Sequence, residues 1–320
     1  MVTDAIDQAF RAHYDVAEPR EWKPLLAYAD GGPDPLSAVR CYGGDDRWHY
    51  VGSGLSALGD EQGRSGWGFE VTFKLPRGPG ESQPPGWPAA LLQDLARYVE
   101  GSGDVLAVGD LLDLGRSVDG SADGRLTGLL FSDDPELSSV GAGEERRRLV
   151  QAIAVTPDEL EAAKDWSCDG VLRLLAEAYP EWVFPMDRES LRTDPNGERA
   201  IQAGMITDGS ARGTAPAETL SCRELRAGLE IEIALEDVHE LRRATRGRLP
   251  FGRPFELRSA EQVLQLWPVG RQFASEAELG VCRVELDADQ TEALRRGLLP
   301  EPGRYAFDEV PGLQFVVVAD

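Results

Sequence analysis

The stretch FSDDPE (131–136) sets Asp133 beside Asp134, with Asp110 and Asp113 a short way back in the chain. Paired carboxylates can share general acid and general base work, or hold a divalent cation. Either use needs further ligands, and histidine is limited to His13, His49 and His239, none in an H-E-x-x-H pattern. DGSADG (119–124) places Asp119, Ser121, Asp123 and Gly124 in the first six positions of an EF-hand-like loop. The twelfth position, which must supply a bidentate glutamate, is Leu130. A turn is what this Asp and Gly chemistry favours instead. The catalytic reading left open is a metal-dependent hydrolase built on Asp110, Asp133 and Asp134. No cofactor or metal is expected.

Phosphate and nucleophile chemistry fare no better. Gly66-Trp67-Gly68 opens like a dinucleotide loop, but Phe69-Glu70-Val71 follows and leads into a strand pattern. A G-x-G-x-x-G loop must instead enter a helix, with its third glycine allowing close packing. No lysine follows a glycine, so no Walker A loop exists, and no G-x-S-x-G elbow occurs. Cys41, Cys168, Cys222 and Cys282 are scattered without a C-x-x-C pair, which excludes zinc ribbons and redox motifs. Reduced, buried thiols are expected.

The elements around these residues come from composition and periodicity. The 320 residues favour two domains. The formal charge of −23 repels nucleic acid and anionic membrane surfaces and favours basic partners. No apolar run approaches membrane-spanning length, and the acidic, amphipathic N-terminus lacks the basic start of a signal peptide, so a cytoplasmic location is expected. Of 33 basic residues only Lys23, Lys74 and Lys164 are lysine, a bias that reads as a GC-rich, bacterial genome.

Ile6, Ala9, Phe10, His13 and Tyr14 fall on one face of a helix over 4–15. Strands are expected at 46–53 and 67–75. In the second, Trp67, Phe69, Val71 and Phe73 form a buried face, while Gly68, Glu70, Thr72 and Lys74 form a wetter one. Proline in the first turn starts a helix at Trp87-Pro88, with Leu91, Leu95 and Tyr98 as its stripe and Gly101 as its end. Thr156, Pro157 and Glu159 make a capping box, and 169–179 is a further helix. The small, polar stretch 206–220 marks the domain boundary, giving domains 1–212 and 213–320. Beyond it lie a strand at 229–235, a helix at 288–296 capped by Asp287 with Gln290, and a last strand in QFVVVAD. Without regular βαβ alternation the fold class is α+β, with a mixed or antiparallel sheet and packed helices in each domain.

GGPDPL (31–36), RWHYVGSGLSALGD (47–60), SGWGFEVTFKLPRGPGESQPPGWPAALLQDLARYV (65–99), LLFSDDPEL (129–137), ITDGS (206–210) and RGRLPFGRPFELRS (246–259) together resemble the Suppressor of Fused family. The order and spacing match over nearly the whole chain, most specifically at 65–99. The resemblance implies a two-domain α+β protein without enzymatic activity. It also implies that the domains clamp an extended peptide, in animals from Gli-type transcription factors, by adding it as a strand. The corresponding peptide-contacting residues here are Tyr98, Asp110 and Asp134, with both aspartates expected to face an interdomain groove. A carboxylate is an acceptor suited to a protonated or N–H-bearing guest, and a tyrosine hydroxyl can donate or accept.

The sequence departs from the animal pattern where LEIEIALEDVHELRR runs into RGRL with no long insertion. For a bacterial source the resemblance implies an immunity protein that neutralises a secreted polymorphic toxin by binding it. The partner is therefore a protein or extended peptide, basic if the charge is a guide, with neither nucleic acid nor membrane involved. The alternative in the same class is a scaffold that sequesters a transcription regulator.

Overall fold

A computed structural model describes residues 2–16, 18–26, 28, 31–57, 66–141, 143, 146–226, 228–268 and 280–319. The fold is α+β, and the chain divides into two compact units. The first unit comprises 1–163 and 168–198, the second 164–167 and 199–320. This division differs from one after residue 212. The stretch 206–220, small and polar in sequence, contains the end of one helix and two strand segments. Its helix is held by Trp166, whose indole Nε1 donates to Asp208 Oδ2 at 3.0 Å.

In the first unit, helix α1 (Val2–Tyr14) precedes strands β1 (Arg20–Trp22), β2 (Ala38–Gly43), β3 (Arg47–Ser53) and β4 (Phe69–Pro76). Helix α2 (Trp87–Ser102) follows, then β5 (Leu111–Asp113), β6 (Gly128–Asp133), β7 (Ser139–Val140) and β8 (Arg147–Val155). Helices α3 (Pro157–Asp165) and α4 (Cys168–Ala178) come next. The sheet order is β1-β2-β3-β4-β8-β6-β5, with β7 also on β8. Every pairing is antiparallel except β4 with β8. The Thr156 start of α3 is confirmed by its amide, which donates to Glu159 at 3.0 Å. Helix α2 runs past Gly101 and ends at Gly103, whose φ of 76° is the left-handed conformation that closes helices.

Strand β4 lies between β3 and β8, and both of its faces are buried. Phe69, Val71 and Phe73 point to the side where Trp87 of α2 meets Phe73 edge-on, at 5.4 Å between ring centroids. Glu70, Thr72 and Lys74, expected on a wetter face, are buried as well. Ile6 and Phe10 of α1 cover that side, clustered with Tyr42, Val51 and Leu149. Trp67 lies outside the strand. The glycines beside it serve the turn: Gly66 and Gly68 have φ of 49° and 76°, and a Cβ at Gly68 would meet nothing within 4 Å.

The buried polar face is stabilised by hydrogen bonds to its own neighbours, although Glu70 Oε2 has none among the described residues. Glu70 Oε1 accepts from the amides of Gly54 (2.9 Å) and Ser56 (3.0 Å) and from the Ser56 hydroxyl (2.6 Å). Burial nevertheless pushes this carboxyl up to about 7.

The second unit begins within α5 (Pro195–Asp208) and carries two four-stranded sheets. Its strands are β9 (Thr214–Pro216), β10 (Leu220–Leu225), β11 (Gly228–Ala234), β12 (Phe255–Arg258), β13 (Val263–Trp267), β14 (Val281–Glu285), β15 (Gly303–Ala306) and β16 (Leu313–Val318). The sheet orders are β10-β11-β16-β15 and β14-β13-β12-β9. Leu229, Ile231, Ile233, Leu264, Val284 and Phe315 belong to one apolar core that both sheets build. Helix α6 (Leu235–Gly247) joins this core, and α7 (Ala288–Gly297) starts at Asp287 with the expected Gln290 capping box.

The native state keeps a proton on Glu70 that the unfolded chain has released above its ordinary value of 4.5. Its contribution to stability therefore falls as pH rises from about 4.5 to 7. Glu70→Gln keeps the acceptor and removes the titration. The variant should gain on the wild type by about 1–3 kcal/mol between pH 5 and 8 in urea melts. Parallel stability–pH curves would rule out a buried, proton-retaining Glu70.

Candidate functional site

Asp134 directly follows β6, in a turn that its own side chain makes. Its Oδ1 accepts from the amides of Glu136 (3.0 Å) and Leu137 (3.3 Å), the local bonding that aspartate favours at turns. The same oxygen accepts from Lys74 Nζ at 3.1 Å. Oδ2 accepts from the Thr72 hydroxyl at 2.7 Å and lies 2.8 Å from His49 Nε2. The carboxylate is fully buried, which alone would raise its pKa; the facing His49, Lys74 and Thr72 outweigh this and hold it well below the usual carboxylate range. Burial pushes His49 down. Lys74 supplies a counter-charge to Asp134.

Glu136 extends the network. Its Oε1 lies 3.1 Å from Lys74 Nζ and accepts from Arg47 at 2.7 Å. Its Oε2 lies 2.9 Å from His13 Nε2 and accepts from the Tyr14 hydroxyl. Burial opposes ionisation of this carboxyl, but the Tyr14 hydroxyl and Lys74 hold it below the usual range. The Tyr14 hydroxyl also lies 2.7 Å from His49 Nδ1. Two carboxylates thus face Lys74 and Arg47, and α1, β3, β4 and the turn after β6 are tied together. Asp134 does not face a groove: its oxygens are filled by the protein's own donors.

Asp133 points the other way and pairs with Arg148 at 2.8 Å, with half of its side chain exposed. The adjacent carboxylates are therefore not a catalytic pair. Among the described residues no group of three or more His, Cys, Asp and Glu side chains is placed to hold a metal ion.

Tyr98 and Asp110 lie in different surroundings. The apolar stripe of α2 is Leu91, Leu92, Leu95, Ala96 and Val99, which leaves Tyr98 39% exposed. Its hydroxyl reaches Asp104 at 3.5 Å. Asp110 is exposed in the loop that joins α2 to β5, and its Oδ2 accepts from the Ala107 amide at 2.7 Å. Burial of part of its carboxyl raises its pKa. Val105 and Val108 are 50% and 40% exposed in the same loop. β5 begins at the next residue and is the last strand of its sheet, paired among the described residues only with β6. Tyr98, Asp110 and a strand edge left unpaired among the described residues thus come together, while Asp134 stays apart from them. The sequence signal for Val105 and Val108 was their position between glycines in GSGDVLAVGD, without helical or strand periodicity.

A family model for Suppressor of fused protein (SUFU) matches residues 32–189, all within the first unit. Over 223 residues, 62% of this chain, the sequence is 34% identical to the human Suppressor of fused homolog, and equally to that of mouse. The crystal structure of the Sufu-Fu complex contains a chain with 31% identity and a TM-score of 0.56, matching 63% of this chain and 95% of that one. This chain belongs to the Suppressor of fused family. Drosophila Suppressor of Fused shares its fold, with a TM-score of 0.79 at 23% identity over 99% of this chain and 95% of that one. The match to the curated Suppressor of fused relatives spans about half of their length (46%).

The two aspartates should respond differently to truncation. Asp134→Ala leaves Lys74 buried without one of its two carboxylates and should cost about 3–5 kcal/mol. Asp110→Ala removes one exposed bond and should cost under about 1 kcal/mol. Denaturant melts of both variants check this; equal costs would contradict the burial difference.

Proposed function

We propose that this chain is a non-enzymatic protein-binding module that takes an extended peptide as an added strand on β5. The observation that carries the reading is the β5 edge, unpaired among the described residues and flanked by Asp110, Tyr98, Val105 and Val108. A strand edge offers backbone donors and acceptors in a row, and neighbouring side chains select the guest. Among the described residues Asp110 has one carboxylate oxygen without a partner, ready for an N–H or cationic group. The valines offer apolar contact to alternate side chains. Membership of the Suppressor of fused family supports the same reading, because a relative is seen in the Sufu-Fu complex. Closure of a second domain over the peptide is the fuller form of this proposal and rests on the family resemblance.

The more specific reading is neutralisation of a secreted toxin. It draws on the net charge of −23, which favours a basic protein target. Sequestration of a transcription regulator uses the same edge, and the genes beside this one distinguish the two, since an immunity gene adjoins its toxin gene. Among the described residues no helix is long and apolar enough to cross a membrane.

Affinity capture from source cells with the intact chain, alongside Asp110→Ala/Val108→Glu, tests the site. The wild type should retain a partner that the double variant loses. Calorimetry with that partner should show Asp110→Ala weaker by about 1–3 kcal/mol, the range for a bond to a charged group. Unchanged affinity in the double variant would remove this edge as the binding surface.

A further inference from the structure

The second unit holds a concentration of positive charge that is at odds with an acidic protein. Asp165, His239, Arg242, Arg243, Arg246 and Arg295 line a cavity of about 280 Å³. His239 and the first three arginines come from α6, Arg295 from α7, and Asp165 from the end of α3. The ion pairs show why this is more than a solvated helix face. Asp165 is shared by Arg243 (3.1 Å) and Arg246 (2.7 Å). Glu240 is shared by Arg212 (3.3 Å) and Arg243 (2.9 Å). Glu292 is shared by Arg295 (2.5 Å) and Arg296 (2.9 Å). Among the described pairs, three carboxylates are thus shared by five guanidiniums. Arg242 adds a sixth, whose described bond is to a carbonyl, Leu298 O at 2.9 Å, which satisfies a donor without cancelling the charge.

One basic residue in the last turn of a helix complements its dipole. Arg246 can serve that purpose, but the convergence of Arg242, Arg243 and Arg295 exceeds it. Planar guanidiniums match phosphoryl oxygens with paired, charge-assisted bonds. Several guanidiniums from two helices suit a compact dianion better than a single carboxylate. A long polyanion is disfavoured by the field of the whole chain. We propose that this cavity binds a phosphoryl dianion through Arg242, Arg246 and Arg295, with Arg243 and Asp165 fixing the wall. The phosphoryl group is carried either by free phosphate or by a phosphorylated side chain of a peptide.

Thermal melts and calorimetry of the full chain test it. The probes are inorganic phosphate, a phosphoserine peptide and its unphosphorylated form, with chloride at matched ionic strength. Phosphate should give a saturable upward shift in Tm that chloride does not. Arg242→Gln/Arg246→Gln should weaken binding at least tenfold. Arg295→Gln, at a side chain 41% exposed, should weaken it with the melt in buffer unchanged, which guards against loss by misfolding. A phosphopeptide at least tenfold tighter than inorganic phosphate would identify the peptide as the source; equal or weaker binding would identify the free anion. A shift that tracks ionic strength alone, or one that survives both variants, would overturn the site.

Discussion

The first unit depends on a buried carboxylate. Removing Asp134 from water carries a large desolvation penalty, which only a full set of partners can offset. Lys74, Thr72, His49 and two backbone amides form that set, and they come from β3, β4 and the turn after β6. Because the donors are distant in sequence, the charge is satisfied only when the strands are in register: His49 opposite Lys74, and Asp133 opposite Val150. Glu136 brings α1 into the same network through Tyr14 and His13. A polar layer of this kind penalises any slip of one residue, which would exchange it with the aromatic face of β4.

The network also positions the exposed site at one remove. Strand β6 ends at the Asp134 turn, and within it Phe131 donates its amide to the carbonyl of Asp110 at 3.1 Å. The Gly109 amide returns a bond to Phe131 at 2.9 Å. The loop carrying Val105, Val108 and Asp110 is thereby fastened to β6 close to the end that the buried Asp134 fixes. Such an arrangement leaves the β5 edge ordered, which in the proposed peptide-binding role would reduce the entropy lost on binding. The two aspartates divide the labour: one holds the scaffold, the other faces solvent.

Charge is likewise distributed unevenly. A chain with 56 acidic and 33 basic residues keeps a net field that favours cationic partners at long range. Within it, paired arginines on α6 and α7 outnumber their carboxylates over a short distance. The overall field and the local excess act over different ranges, because screening limits the first beyond roughly 10 Å while guanidinium bonds act at direct contact.

Local signals were sufficient wherever the physics was local. The Thr156 and Asp287 helix starts, the α1 stripe of Ile6 and Phe10, and the strands expected at 46–53 and 67–75 (observed at 47–53 and 69–76) were legible, since caps and periodicity act over a few residues. The α+β class and the family resemblance were legible for the same reason. What the sequence could not supply was whether an alternating strand has one covered face or two. Glu70, Thr72 and Lys74 look solvent-bound in sequence, and only the packing of α1 over β4 makes them interior. Tyr98 looked like stripe because its spacing fits, but Val99 and Ala96 turn the buried side of α2 away from it. Asp110 and Asp134 are the same residue type in similar acidic loops. Their separation into an exposed acceptor and a buried ion-pair partner is a long-range outcome, set by which donors the sheet brings near each carboxylate.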